Sequence, residues 1–367
     1  MTAVLNEDLD AFRVASRTFL RTRSTSEQVR STIDAGTGVD AATWSQAANQ
    51  LGIQGLLVPD ELGGSGAKIA VAVTALQEVA ATLTPGPYLA TTWAAQALST
   101  HGAGAFDDTL RAIAAGTARI AVSWPRLDVD GALSAPPVQL VGDGAALVDG
   151  TLPVLSHASS SDHVLLLVGD AGSRHLVLVD LAEASASVET LEALDLTGPT
   201  GRVTFAATPA VAVPVDEESV VRLLDLAAVL VAAEQLGLLR EVLARDVVYA
   251  GERTAFGREI GSFQSVKHQL AEFACLFEQS QAMLDEAVLG FDGGATERSV
   301  SAAACAAFVG SAAVQVTTDG LRLLGGIGFT WEHDAHLFYR RARATEVLLG
   351  SPYGQRRRLA RLLGLTT

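Results

Sequence analysis

Cysteine is scarce in this 367-residue chain: Cys275 and Cys305 are the two, far apart and in apolar, helix-like surroundings. Neither a disulfide framework nor a thiolate metal site follows from such a pair, and a reducing cytoplasm is the expected compartment. Cationic excess is missing as well. A formal charge of −15 argues against a sequence-independent nucleic-acid surface, because phosphate binding needs clustered cations to release counterions. Lysine is reduced to Lys68 and Lys267 while arginine is plentiful, so each arginine group has to be read individually. Apolar blocks such as Leu226–Ala233 fall far short of the roughly 20 residues that span a bilayer. The first residues, MTAVLNEDLDAF, carry acids where a signal peptide needs a basic start and an apolar run. No membrane anchor, internal repeat or low-complexity linker is expected.

What is present is 49% apolar residues, ample for a buried core, in a length that suits two or three domains. Residues 7 to about 118 alternate helix-like stretches with breakers. Asp40 or Thr43 can cap the helix holding WSQAANQLG, VPDELGGSG is a loop, a helix covers Lys68–Thr82, and TPGPY stops it. Between about 119 and 215 the texture changes to short β-branched runs, RIAVS, VQLVG, HVLLLV, HLVLVDL and RVTFA, separated by Gly, Asp and Ser. From Asp216 onward it is helical again, with long segments near 217–251, 263–290 and 295–324 and a shorter one near 335–349. The expected architecture is mainly α with a β domain: a helical domain over 1–118, a small β domain over 119–215, and a four-helix bundle over 216–367. The helix containing LDLAAVLVAAEQLGLL is apolar on nearly every face, which marks it as central and buried. Its acids Asp225 and Glu234 are nine residues apart, two and a half turns, and so face opposite sides.

Two stretches invite a functional reading. Gly325–Arg341, GGIGFTWEHDAHLFYRR, follows a helix, whereas a dinucleotide-type glycine loop follows a strand, so a tight turn needing φ > 0 explains it better. His333 and His336 lie three apart with no third ligand in sight, which is a poor metal site. Arg253–Gln264, RTAFGREIGSFQ, connects two long helices. Its arginine, phenylalanine and glycine could be a packed helix end, and equally a clamp for a pyrophosphate and an adenine.

RTAFGREIGSFQSVKHQLAEF resembles the flavin-contacting signature of acyl-CoA dehydrogenases, GGIGFTWEHDAHLFYRRA is similar to that family's late glycine motif, and WSQAANQLGIQGLLVPDELGGSG to its first-domain loop. The three motifs stand in the family's order and, with the helical, β, helical layout, cover essentially the whole chain. The resemblance implies an acyl-CoA dehydrogenase fold and a homotetramer or related oligomer with FAD at subunit interfaces. It also implies oxidation of an acyl-CoA thioester to the trans-2-enoyl form. A carboxylate there removes the α proton while a hydride leaves the β carbon for the flavin. Carried over by motif, Arg253 would bind the pyrophosphate of a neighbour's FAD, Phe256 would pack on the adenine side, and Gln264 would hydrogen-bond nearby. Gly325 and Gly326 would let the backbone approach the ADP moiety, with Arg322 standing where a Gln is common.

The pattern breaks at the base. The usual Glu, 24 residues after the first glycine of the late motif, is Leu349, and the alternative position on the central helix is Ala227. An arginine that usually organises the substrate site falls on Ala228, while an aspartate that often contacts CoA is retained as Asp225. The segment Thr-Glu-Pro-x-Ala-Gly-Ser-Asp and the Trp-containing strand that hold the flavin ring are missing from a shortened β domain. The expectation is therefore a base-lacking subunit of a heteromeric acyl-CoA dehydrogenase, such as those in actinobacterial steroid degradation. The alternatives are a self-sufficient flavoenzyme with a relocated base, Asp225 or Glu234, and a non-catalytic structural or CoA-binding protein.

Overall fold

The computed structural model describes residues 2–102, 104–142, 146–291 and 295–365. Six helices come first: α1 Thr2–Arg23, α2 Ser26–Ala35, α3 Ala41–Leu51, α4 Ile69–Ala81, α5 Tyr88–His101 and α6 Asp107–Ala114. Asp40 is the cap of α3, its carboxylate accepting from the amides of Ala42 and Thr43. Lys68 and Thr82 flank α4, which is buried along most of its length.

Strands follow: β1 Ile120–Val122, β2 Arg126–Leu127, β3 Leu133–Ser134, β4 Val138–Val141, β5 Leu147–Ser156, β6 His163–Val168, β7 His175–Asp180, β8 Ala186–Leu191 and β9 Thr200–Pro214. The main sheet runs β1-β6-β7-β9-β5-β4, with β8 also on β9 and only the β1–β6 pair parallel among the described residues. The 15-residue β9 joins the two halves, pairing β7 through Ala210–Pro214, β5 through Thr200–Pro209 and β8 through Thr200–Phe205. HVLLLV reads as one apolar run because both its faces are covered. Leu165 and Leu167 join the core under the helices, whereas Val164, Leu166 and Val168 face a separate core within the strands. Sequence patterning missed β5 and β8, whose polar and glycine residues break the β-branched texture.

The helical remainder comprises α7 Glu217–Glu252, α8 Gln264–Gly290, α9 Ala295–Leu323, α10 Ala335–Glu346 and α11 Pro352–Leu362, a fifth element beyond the four expected. Between α7 and α8 stands a hairpin of β10 Thr254–Ala255 and β11 Arg258–Glu259. With 36 residues α7 is about 54 Å long and packs against α4, α8, α9 and α10. Its apolarity on all sides follows from that position. Not every apolar segment is short: Glu297–Leu323 of α9 has the length and composition of a membrane span, and 56% of its apolar window is buried against neighbouring helices.

One contact sets the closeness of α4 and α7. A methyl on Gly237 would come within 2.3 Å of the Gln77 carbonyl oxygen, so only glycine lets these backbones approach as they do. Gly237→Ala is expected to destabilise the chain by about 1–3 kcal/mol, the usual cost of overpacking a core. Urea unfolding reads this directly, and an unchanged midpoint would mean that α4 yields without cost.

Candidate functional site

The RTAFGREIGSFQ segment begins where α7 stops. Arg253 caps the helix through its backbone, its N–H bonded to the Tyr249 carbonyl, and the chain turns back at once. Thr254 pairs with Glu259 and Ala255 with Arg258, leaving Phe256 and Gly257 as the two turn residues. Both have positive φ, +52° and +78°, which is the geometry of a two-residue I′ hairpin. Glycine adopts it freely. A phenylalanine there is strained, and the result is a ring 96% exposed at the tip. Arg258 lies over the Phe263 ring at 4.0 Å, and Phe263 meets Phe256 edge to face at 6.2 Å between centroids. These contacts stiffen the hairpin without covering its tip. The side chains of Arg253 and Gln264 are exposed and have no hydrogen-bond or ion-pair partner among the described residues.

The glycine turn lies at the same end of the bundle. After α9, residues Gly325–Phe329 form a 3-10 turn, tied to α7 by the Tyr249 hydroxyl, which donates to the Leu324 carbonyl at 3.2 Å. Gly325 has φ +66°, as a helix-ending turn requires. Gly326 is different: its φ is ordinary and nothing lies within 4 Å of where a Cβ would be, so the chain itself gives no reason for glycine there. Close approach of another molecule would. Arg322, 69% exposed, holds Asp319 at 2.9 Å, while Ile327, Phe329 and Trp331 are exposed beside the turn. His333 accepts from the amide of Ala335, and His336 stands edge-on to Trp331. Together these form an outward-facing cradle of a basic side chain, an aromatic ring and open backbone, groups that suit a phosphate and a planar ring.

The positions of the expected base are closed. Leu349 is 5% exposed and belongs to the main core. The β2–β3 hairpin sits against it, the Leu127 amide bonded to the Leu349 carbonyl at 3.0 Å and Leu127 bridged to Gly350. Asp128 shapes that hairpin by accepting from the amides of Asp130 and Ala132. Ala227 and Ala228 are fully buried on α7.

Asp225 and Glu234 do face different partners, as their spacing requires. Asp225 is 0% exposed, with Arg298 Nε at 2.9 Å and Ser299 Oγ at 2.7 Å on one oxygen and Arg358 on the other. Both its oxygens are thus committed to α9 and α11, a structural ion-pair network and not a place where CoA can reach it. Glu234 accepts from Arg341 Nε at 2.7 Å, both side chains about 5% exposed. Unlike Asp225 it lines a cleft of ≈ 350 Å³ between the ends of β1 and β5, the start of α5 and the end of α10. The walls include Leu89, Val122, Trp124, Leu155 and Leu348, and Arg341 lies at the cleft with Glu234. Burial and the neighbouring Arg341 charge push His157, also in the lining, down to about 3, so it is neutral.

Sequence reasoning did not single out Arg341, Trp124 or His157. The one available signal was Glu234 itself, since a carboxylate on an all-apolar helix requires a cation from elsewhere in the chain.

Residues 6–116 match the family acyl-CoA dehydrogenase, N-terminal domain, and residues 218–364 the family acyl-CoA dehydrogenase, C-terminal domain. The chain is 36% identical over 317 residues to the acyl-CoA dehydrogenase FadE34 of Mycobacterium tuberculosis, covering 86% of this chain but 41% of that protein's length. It is 30% identical to the acyl-CoA dehydrogenase IpdE2 of the same organism, over 90% of this chain and 89% of that one. Among solved structures, a variant of the Tcur3481-Tcur3483 steroid ACAD superposes with a TM-score of 0.90 at 26% identity. The ChsE4-ChsE5 complex from Mycobacterium tuberculosis does so at 0.86 and 25%, each comparison covering 98% of both chains.

Proposed function

The chain belongs to the acyl-CoA dehydrogenase family, and from that premise we propose that it is the base-lacking subunit of a heteromeric acyl-CoA dehydrogenase. The observation that carries this reading is the contrast within the molecule: the hairpin and glycine turn are intact and point outward, while both positions for a base are buried aliphatic residues. Arg253 would meet the pyrophosphate of FAD held chiefly by the partner, Phe256 would cover its adenine, and Gln264 would hydrogen-bond beside it. Gly325 and Gly326 would admit the backbone to the ADP half, with Arg322 adding positive charge. FAD, when bound, supplies the hydride acceptor; the α proton would go to a carboxylate of the partner. This chain's contribution is to bind and to exclude water.

That two of the structural relatives carry paired subunit names, ChsE4-ChsE5 and Tcur3481-Tcur3483, supports a two-subunit assembly, and the latter's name supports a steroid-like or lipid acyl-CoA as substrate. The assembly would be cytoplasmic. A second reading, a self-sufficient flavoenzyme, has one observation in its favour: Glu234 lines the cleft. Its Oε1 is already bonded to Arg341, which weighs against it as a proton acceptor.

Co-expression with the adjacent gene product, followed by visible spectroscopy, tests the proposal. The complex should be yellow and the chain alone colourless. The double variant Arg253→Ala, Phe256→Ala should weaken FAD binding by the complex about tenfold or more in Kd, the equivalent of one charge-assisted contact. FAD at full occupancy and turnover of acyl-CoA by the chain alone would sink the idea and restore the second reading.

A further inference from the structure

The last two turns of α7 carry a buried acid that the proposed function does not use. Asp246 is 1% exposed, and its Oδ2 has no hydrogen-bond partner among the described residues. The carboxyl is lodged against α9 at Gly320, where a methyl would lie 2.3 Å from Oδ2, so it fills the space that a side chain there would take. One turn further along both helices the two outward segments are joined. Tyr249 accepts at its carbonyl from the Arg253 amide, at 2.8 Å, where the hairpin starts, and its hydroxyl donates to the Leu324 carbonyl, where the glycine turn starts. The Leu324 amide leads back to the Gly320 carbonyl at 3.2 Å. Ala250, beside Tyr249, supports the far end of the hairpin: a methyl on Gly261 would come within 2.8 Å of its carbonyl oxygen. Asp246 against Gly320 and Tyr249 against Leu324 are thus successive rungs between α7 and α9, and the second rung ties both segments.

No charge offsets the acid. On α7 Arg245 is taken by Glu241 and Asp334, and Glu252 and Arg253 lie nearly two turns away. On α9 Asp319 is held by Arg322, and on α10 Arg341 is held by Glu234. The start of α8 brings Lys267, His268 and Glu272, the hairpin Arg258 and Glu259, and the segment before α10 His333 and Asp334. None of these acts on the carboxyl: burial alone displaces it, up to about 7 from 3.8.

We infer that Asp246 is a proton-operated latch for this end of the bundle. Neutral, the carboxyl lets α7 and α9 close, with the hairpin and the glycine turn held in register by Tyr249. Ionised, it draws water between the helices, and the Tyr249 rung opens with it. Opening exposes the carboxyl, which then ionises as an ordinary one, so opening releases a proton. It is therefore favoured by each rise in pH between about 4 and about 7, and by none beyond. On the subunit reading, the segments loosened in this way are those that would hold FAD.

Amide hydrogen exchange on the full-length chain tests this, each rate divided by its intrinsic value at the same pH. The amides of Arg253, Ile260, Leu324 and Thr330, all bonded within these segments, should lose protection by about tenfold or more from pH 5 to pH 7.5 and little from there to pH 8.5. Asp246→Asn and Asp246→Ala, neither of which can ionise, should each remove the dependence. The β2–β3 hairpin, whose opening leaves Asp246 buried, should not show it in the parent chain. Protection that stays constant with pH in the parent, the same loss in the β2–β3 hairpin, or a loss that persists in both variants would overturn the inference. Neither flavin nor a partner enters the measurement, so the subunit proposal stands or falls separately.

Discussion

Asp225→Ala is expected to destabilise the chain by about 3–5 kcal/mol, the cost of removing one partner from a buried ion pair. The carboxylate sits on α7 and holds Arg298 of α9 and Arg358 of α11, residues 4% and 8% exposed. Without it two guanidinium charges face each other in the interior with no counter-charge. The loss should appear as a lower urea midpoint. Asp225→Asn keeps the volume but removes the charge and one acceptor, so a similar loss in that variant assigns the effect to the polar pairing and not to a cavity. A structural role also predicts that neither variant changes substrate affinity in a complex that remains folded. If Asp225→Asn cost less than about 1 kcal/mol, the value of an exposed pair, the network would not be what secures α11.

Asp246→Asn is expected to do the opposite, and to do it only at higher pH. Asp246 is 1% exposed on α7, its Oδ2 without a hydrogen-bond partner among the described residues and so close to α9 that a methyl on Gly320 would lie 2.3 Å from it. Desolvation pushes its carboxyl up to about 7 from an ordinary 3.8. Because the folded-state value is the higher one, the folded chain keeps this proton where the unfolded chain has lost it. The stability associated with the group is full below about pH 4 and falls as pH rises to about 7, beyond which it is constant. Asn cannot ionise and escapes that decline. The variant should therefore match the parent near pH 4 and exceed it by about 2–4 kcal/mol at pH 8, since each pH step between the unfolded and folded values is worth at most about 1.4 kcal/mol. Urea unfolding at the two pH values measures it. A stability difference of the same size at both would remove ionisation from the explanation.

The two acids Asp225 and Glu234 show how much of the site could be read before the fold was known. Their positions on an all-apolar helix already required burial and cationic partners, and their half-turn offset already separated them. Which arginines would answer was not legible. Arg341 stands 107 residues from Glu234 and Arg358 stands 133 from Asp225, and nothing local distinguishes them among 26 basic side chains. The outward hairpin is the converse case. For RTAFGREIGSFQ the sequence left a packed helix end and a clamp both open, and the structure shows a hairpin with Phe256 exposed at its tip, a geometry set by consecutive residues.

Leu349 marks the boundary between the two kinds of information. Counting from Gly325 showed that no carboxylate could stand there, a statement about residue identity that no fold could change. That the position is also closed, under the Leu127 backbone, emerged only from the tertiary structure, because the contact joins segments far apart in the chain. By itself the sequence determined the helical, β and helical order, a cap at Asp40 or Thr43, the buried course of α7 and the aliphatic identity of Ala227 and Leu349. Each of these rests on residues within a few turns or on the chemistry of one side chain. The tertiary structure decided the partners of Asp225 and Glu234, the cleft, the strain at Phe256 and the orphaned carboxylate of Asp246. Those depend on where distant segments meet, and a buried charge or polar atom takes its energy from the atoms that surround it in space.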